Sequence, residues 1–134
     1  METDSALLDE ALTRFFSERG DVAAVFRLPD AHAYGRKGVP AGVDLGVFLH
    51  PLVAQCRYEE TRLMLAEALA VDLNRTDVGV VILNDASSNL AFDLLRRCEM
   101  VYCGSENLLE EFRYRVQAEY FRSVHDRRIS PNLD

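Results

Sequence analysis

Apolar and polar positions alternate along the chain in blocks that predict eight elements of secondary structure. From Val22 to Leu28 and from Val43 to Leu49 the chain runs almost without polar interruption, and the second run is rich in β-branched and aromatic residues. Short apolar runs of this kind, bounded by turn residues, predict buried strands. Pro29 stops the first, because proline cannot donate to a central ladder. Residues 29–42 form a loop, and Pro51 follows the second run. Asp77 to Leu83 predicts a third strand, with an acid at its start, and Glu99 to Cys103 a short fourth. Between these runs the period changes to that of a helix. Leu7, Leu8, Ala11, Leu12, Phe15 and Phe16 make one apolar face of a helix that Asp4 or Ser5 can cap, running to about Arg19, with Gly20 placed to end it. Tyr58, Leu65, Leu69 and Leu73 mark a second helix over about Arg57–Leu73, with Met64 and Ala68 beside the stripe. Leu90, Ala91, Leu94, Leu95 and Cys98 mark a third, ending near Arg97. Leu109, Phe112, Val116 and Tyr120 mark a fourth, capped by Ser105 and running to about Val124, before a polar tail.

The order is helix, strand, strand, helix, strand, helix, strand, helix. It predicts an α/β fold: a mixed β-sheet of about four strands packed by helices. A chain of 134 residues without repeat, low-complexity segment or linker reads as a single domain over 1–134.

Composition narrows the function classes. Hydrophobic residues make up 49% of the chain, enough for a core, and the formal net charge is −7. That balance argues against direct nucleic-acid binding, which calls for a basic face. No apolar run approaches the roughly 20 residues of a membrane span. The acidic start METDSALLDE lacks the basic opening and long apolar stretch of a secretory leader, so a cytoplasmic protein is expected. Cys56, Cys98 and Cys103 are odd in number and lack metal-knuckle spacing, which predicts reduced thiols. His32, His50 and His125 share no metal-ligand spacing and read as loop or surface histidines.

One residue stands out against this pattern. Asp44 lies inside an apolar run, and an ionisable side chain is rarely buried without a partner. With period two, Gly42, Asp44, Gly46 and Phe48 share one strand face. Carboxylates at 42 and 44 would project together and could grip one cation; with Gly42 the chain has half of that pair. Asp77 starts the next apolar run. If the two strands are neighbours, Asp44 and Asp77 meet at one sheet end, and paired carboxylates suit Mg²⁺ and phosphate chemistry. The plain alternatives are a structural Asp44 paired with Arg36 or Lys37 and a turn acid at Asp77.

The element order, the VDLGVFL run, and DVGVVILND followed by LAFDLLRRCEMVYC resemble the minimal nucleotidyltransferase (MNT) family of the DNA polymerase β superfamily. The resemblance extends from about Val22 to the last helix, and points to the type VII MNT antitoxins that pair with HEPN ribonuclease toxins. It implies a nucleotidyltransferase fold, Mg²⁺ and ATP as cofactors of an active site, and transfer of AMP from ATP to a tyrosine of the toxin, or binding of the toxin alone. In the family pattern a Gly-Ser loop follows strand one, an Arg-Gly comes a few residues on, Asp-x-Asp lies on strand two, and a third Asp starts strand three.

Asp44 falls on the second acid of Asp-x-Asp and Asp77 on the third, but Gly42 replaces the first. The Gly-Ser position falls on Asp30-Ala31, or with one gap on Pro29-Asp30; Gly35 matches the Arg-Gly glycine, with Tyr34 in place of the arginine. A shorter loop would instead align Gly35-Arg36 with Gly-Ser. Asp30 sets negative charge where phosphate calls for N–H groups and positive potential. The expectation is a remnant site: Asp44 and Asp77 as carboxylates and possible metal ligands, Gly35 and Asp30 as a degenerate nucleotide loop, and no bound cofactor. The function expected is that of an antitoxin that neutralises a HEPN toxin as a hetero-oligomer, with Phe121 and Arg122 on the last helix in the contact. The alternative is an active nucleotidyltransferase that moves AMP from Mg·ATP to a hydroxyl of the toxin or of a small molecule. The spacing also implies that Gly42→Asp would rebuild part of the metal site.

Overall fold

The computed structural model describes residues 2–28 and 42–129. Eight elements follow in the predicted order: α1 (Glu2–Ser17), β1 (Val22–Arg27), β2 (Val43–Leu49), α2 (Tyr58–Leu73), β3 (Val78–Ile82), α3 (Ser88–Arg97), β4 (Glu99–Cys103) and α4 (Glu106–Ile129). The sheet order is β3-β2-β1-β4. β1 runs antiparallel to both β2 and β4, and β2 runs parallel to β3. A parallel pair needs a crossover between its strands, and α2 supplies it.

The period-two reading of β2 explains the layering. Val43, Leu45, Val47 and Leu49 pack with Leu12 and Phe16 of α1 and Leu65 and Leu69 of α2. Phe48, on the opposite parity, packs with Phe26 and with Ala91, Leu94, Leu109, Phe112 and Val116 of α3 and α4. All seven residues of β2 are buried, as expected for a strand covered on both faces. Phe48 and Phe112 stack at 4.2 Å and tie α4 to the sheet.

Several boundaries move. α1 begins at Glu2, ahead of the expected caps, and ends at Ser17 rather than Arg19. The left-handed cap appears instead at Asn74 (φ 53°), whose N–H donates to the carbonyls of Ala70 and Val71 at the end of α2. Thr61 joins the buried stripe of α2, whereas Met64 is exposed. α4 runs on to Ile129, past the expected end near Val124. Ser87 caps α3 by accepting from the Leu90 N–H at 3.2 Å, and Ser105 accepts from the Leu108 N–H at 3.3 Å, as expected.

β3 is shorter than expected because Leu83–Asp85 turns into a 3₁₀ helix. Asn84 compensates for the lost ladder. Its Nδ2 donates to the Leu49 carbonyl at 3.0 Å, and its Oδ1 accepts from the Leu49 N–H at 2.7 Å. The side-chain amide thus replaces a neighbouring strand. Asn84→Ala leaves both backbone groups of Leu49 without this partner, and is expected to lower stability by roughly 1–3 kcal/mol in urea unfolding. A loss below a few tenths of a kcal/mol would show that solvent substitutes for the amide.

Candidate functional site

The residues of interest gather where β2 and β3 begin. The register sets Val43 opposite Val78 and Asp44 opposite Gly79. The Val43 N–H donates to the Asp77 carbonyl at 2.9 Å, so Asp77 lies level with Gly42. Gly42, Asp44, Asp77 and Gly79 therefore share one sheet face by parity, the face that α3 and α4 cover further along. The sequence expectation that the two carboxylates reach the same end of the sheet holds.

Their surroundings differ. Asp44 is 5% exposed, held in a strand whose backbone is paired on both sides; its carbonyl accepts from the Leu28 N–H at 2.8 Å. Asp77 is more open, and both its oxygens are engaged by one guanidinium. Arg75 Nε donates to Oδ1 at 2.8 Å and its terminal nitrogen donates to Oδ2 at 2.7 Å. This fork is the geometry in which arginine binds a carboxylate best. The hydrogen bond from Arg75, helped by the nearby charge, raises the guanidinium pKa above its ordinary value.

Gly42 is filled by its neighbour. A Cβ placed there would come within 2.5 Å of both the Asp77 Cβ and Oδ2, and closer still to the Asp77 carbonyl oxygen. The expectation that Gly42→Asp rebuilds a metal site is therefore corrected: the space for that side chain is already taken by Asp77 and its backbone. Asp30 and Gly35 lie outside the described residues, as do Arg36 and Lys37, the proposed partners of Asp44. Among the described residues no group of three or more His, Cys, Asp and Glu side chains is placed to hold a metal ion. The residues described do not fit an Asp-x-Asp plus Asp metal centre: position 42 supplies no donor, and the Asp77 oxygens face Arg75.

Phe121 and Arg122 lie exposed on α4, Phe121 at 53%. Phe121 packs edge-on against Phe92 and Tyr120. Sequence reasoning missed Arg75, which stands two residues before Asp77 in the turn between α2 and β3. It also missed Phe92, hidden because the helical stripe of α3 was chosen from its sheet-facing side.

Comparison with solved structures places this architecture. A chain of the toxin–antitoxin complex MntA-HepT superposes with a TM-score of 0.65 at 17% identity, over 92% of this chain and 93% of that one. This is the MNT nucleotidyltransferase fold. A chain from the tri-AMPylated Shewanella oneidensis HEPN toxin in complex with MNT antitoxin matches with a TM-score of 0.64 at 18% identity, over 92% of each chain. A chain from a toxin–antitoxin complex with AMP-PNP matches with a TM-score of 0.63 at 17% identity, over 90% of this chain and 93% of that one. By sequence, no family model and no curated protein matches the chain. No helix among the described residues is long and apolar enough to cross a membrane.

Proposed function

We propose that this chain is the antitoxin half of a HEPN/MNT pair in the cytoplasm. It neutralises a HEPN ribonuclease toxin by binding it as a hetero-oligomer, and nucleotidyl transfer is lost or severely weakened. The shared fold and its occurrence in MntA-HepT complexes support the antitoxin part. One observation carries the loss of transfer: the Gly42 side-chain space is occupied by Asp77, whose carboxylate is itself forked by Arg75. Loss of outer-shell groups alone weakens metal affinity or activity roughly 10- to 100-fold. A missing ligand and an engaged one should weaken it at least as far.

The second reading, an active enzyme that moves AMP from Mg·ATP to a hydroxyl, is favoured by the AMP-PNP complex and the AMPylated toxin among the structural neighbours. The two readings separate in cells. With the toxin co-expressed, Asp44→Asn combined with Asp77→Asn is expected to protect growth as well as the unaltered chain. Protection that disappears with the two carboxylates, while the variant remains folded and abundant, would transfer the case to the enzyme.

A further inference from the structure

A groove of about 380 Å³ separates α3 from α4, away from the carboxylates. Phe92, Leu95 and Val116 form its apolar floor, and the exposed Arg96, Arg113 and Gln117 its rim. Its volume lies in the range of sites that receive a ligand or an anchoring side chain. Beside it, Phe92 stacks on Tyr120 at 4.0 Å, and the half-exposed Phe121 extends the same apolar surface.

Arg96 and Arg113 belong, with Arg14, Arg19, Arg115 and Arg122, to the described arginines that meet no carboxylate. Elsewhere Arg57, Arg62, Arg75 and Arg97 each meet a carboxylate. Arg96 and Arg113 instead lie over rings, Arg96 at 5.5 Å from the Phe92 centroid and Arg113 at 5.9 Å from that of Phe26. Among the described residues neither has an ion-pair partner. A protein of net charge −7 thus presents two arginines, free of carboxylates, on either side of an apolar floor.

We propose that this groove docks an amphipathic segment of the HEPN toxin, one that seats an apolar side chain on the floor and offers carboxylate to Arg96 and Arg113. The proposal rests on the antitoxin reading and adds the chemistry of the contact. Arginine forks bind carboxylates bidentately, and aromatic and arginine anchors concentrate binding energy where water is excluded. The opposite signs also divide the work. The acidic bulk of the chain speeds approach to a basic ribonuclease, while a locally basic groove rejects all but one registration. A protein segment fits better than RNA, because the net charge of −7 repels phosphates.

The test measures binding of the purified full chain to the co-expressed toxin by surface-immobilised kinetics. Arg96→Glu with Arg113→Glu is expected to weaken affinity about 100-fold or more, and Arg96→Gln with Arg113→Gln about 10-fold, chiefly through faster dissociation. Arg57→Glu, ahead of α2 and outside the groove lining, should remain within about threefold of the unaltered chain, as exposed charges usually do. Circular dichroism melting checks each variant, and the glutamine pair decides the matter if charge reversal prevents folding. Wild-type affinity in both pairs would overturn the groove while leaving the antitoxin reading intact. Failure of the unaltered chain to bind toxin would overturn both. Loss of binding to a single-stranded oligoribonucleotide, with toxin binding unchanged, would assign the groove to nucleic acid and overturn the proposal.

Discussion

Phe112→Ala is expected to remove about 3–5 kcal/mol of stability, the range for truncating a buried aromatic side chain. Phe112 is 4% exposed and stacks on Phe48 of the central strand with an interplanar angle of 14°. Leu109 and Val116, one turn to either side, belong to the same cluster. Removing the ring would leave a cavity between β2 and α4. Small domains are stable by only about 5–15 kcal/mol, so the variant would stand near the edge of folding. Urea titration would show a lower midpoint at unchanged slope. A loss below about 1 kcal/mol would mean that α4 closes over the gap. On the proposed reading the consequence extends to toxin binding, because α4 carries Phe121, Arg122 and one wall of the arginine groove.

Gly42→Asp is expected to destabilise the chain by roughly 1–3 kcal/mol, as overpacking does. The obstacle is backbone, not a mobile side chain. The Asp77 carbonyl that a Cβ would strike also accepts the Val43 N–H that opens the parallel ladder. Seating the new side chain means moving the start of β3 and losing that bond, and it places a second carboxylate beside Asp77. Thermal melts with and without millimolar MgCl₂ test this, since a cation that binds only the folded state raises the melting temperature. The melting temperature of the variant should fall below that of the unaltered chain and remain insensitive to Mg²⁺. A Mg²⁺-dependent rise seen only in the variant would show that β3 yields and that the rebuilt pair binds metal.

The fold was legible because its elements have clean periods. The alternation along Val43–Leu49 assigned each side chain to the correct face, and the helical stripes of α3 and α4 named the buried residues that these two helices give to the second cluster. Asp44 was legible for the same reason: an acid in a run buried on both faces contradicts its surroundings. What could not be read was pairwise. No pattern within one segment tells that Asp77 fills the space beside Gly42, because that contact joins residues 35 positions apart through the register of two strands. The Asn84 clamp was not legible for a similar reason, since its partner is the distant backbone of Leu49. The arginine groove needed two helices placed side by side before Arg96 and Arg113 could be seen to face one floor.

On the function proposed above, binding and not transfer of AMP neutralises the toxin. Intact-mass spectrometry of the toxin, purified with this chain from cells that it protects, tests that claim most directly. The toxin is expected at its unmodified mass in a stable complex, with the same result when Asp44 and Asp77 are replaced by asparagine. Toxin carrying AMP beside the unaltered chain, and lacking it beside the asparagine variant, would contradict the account.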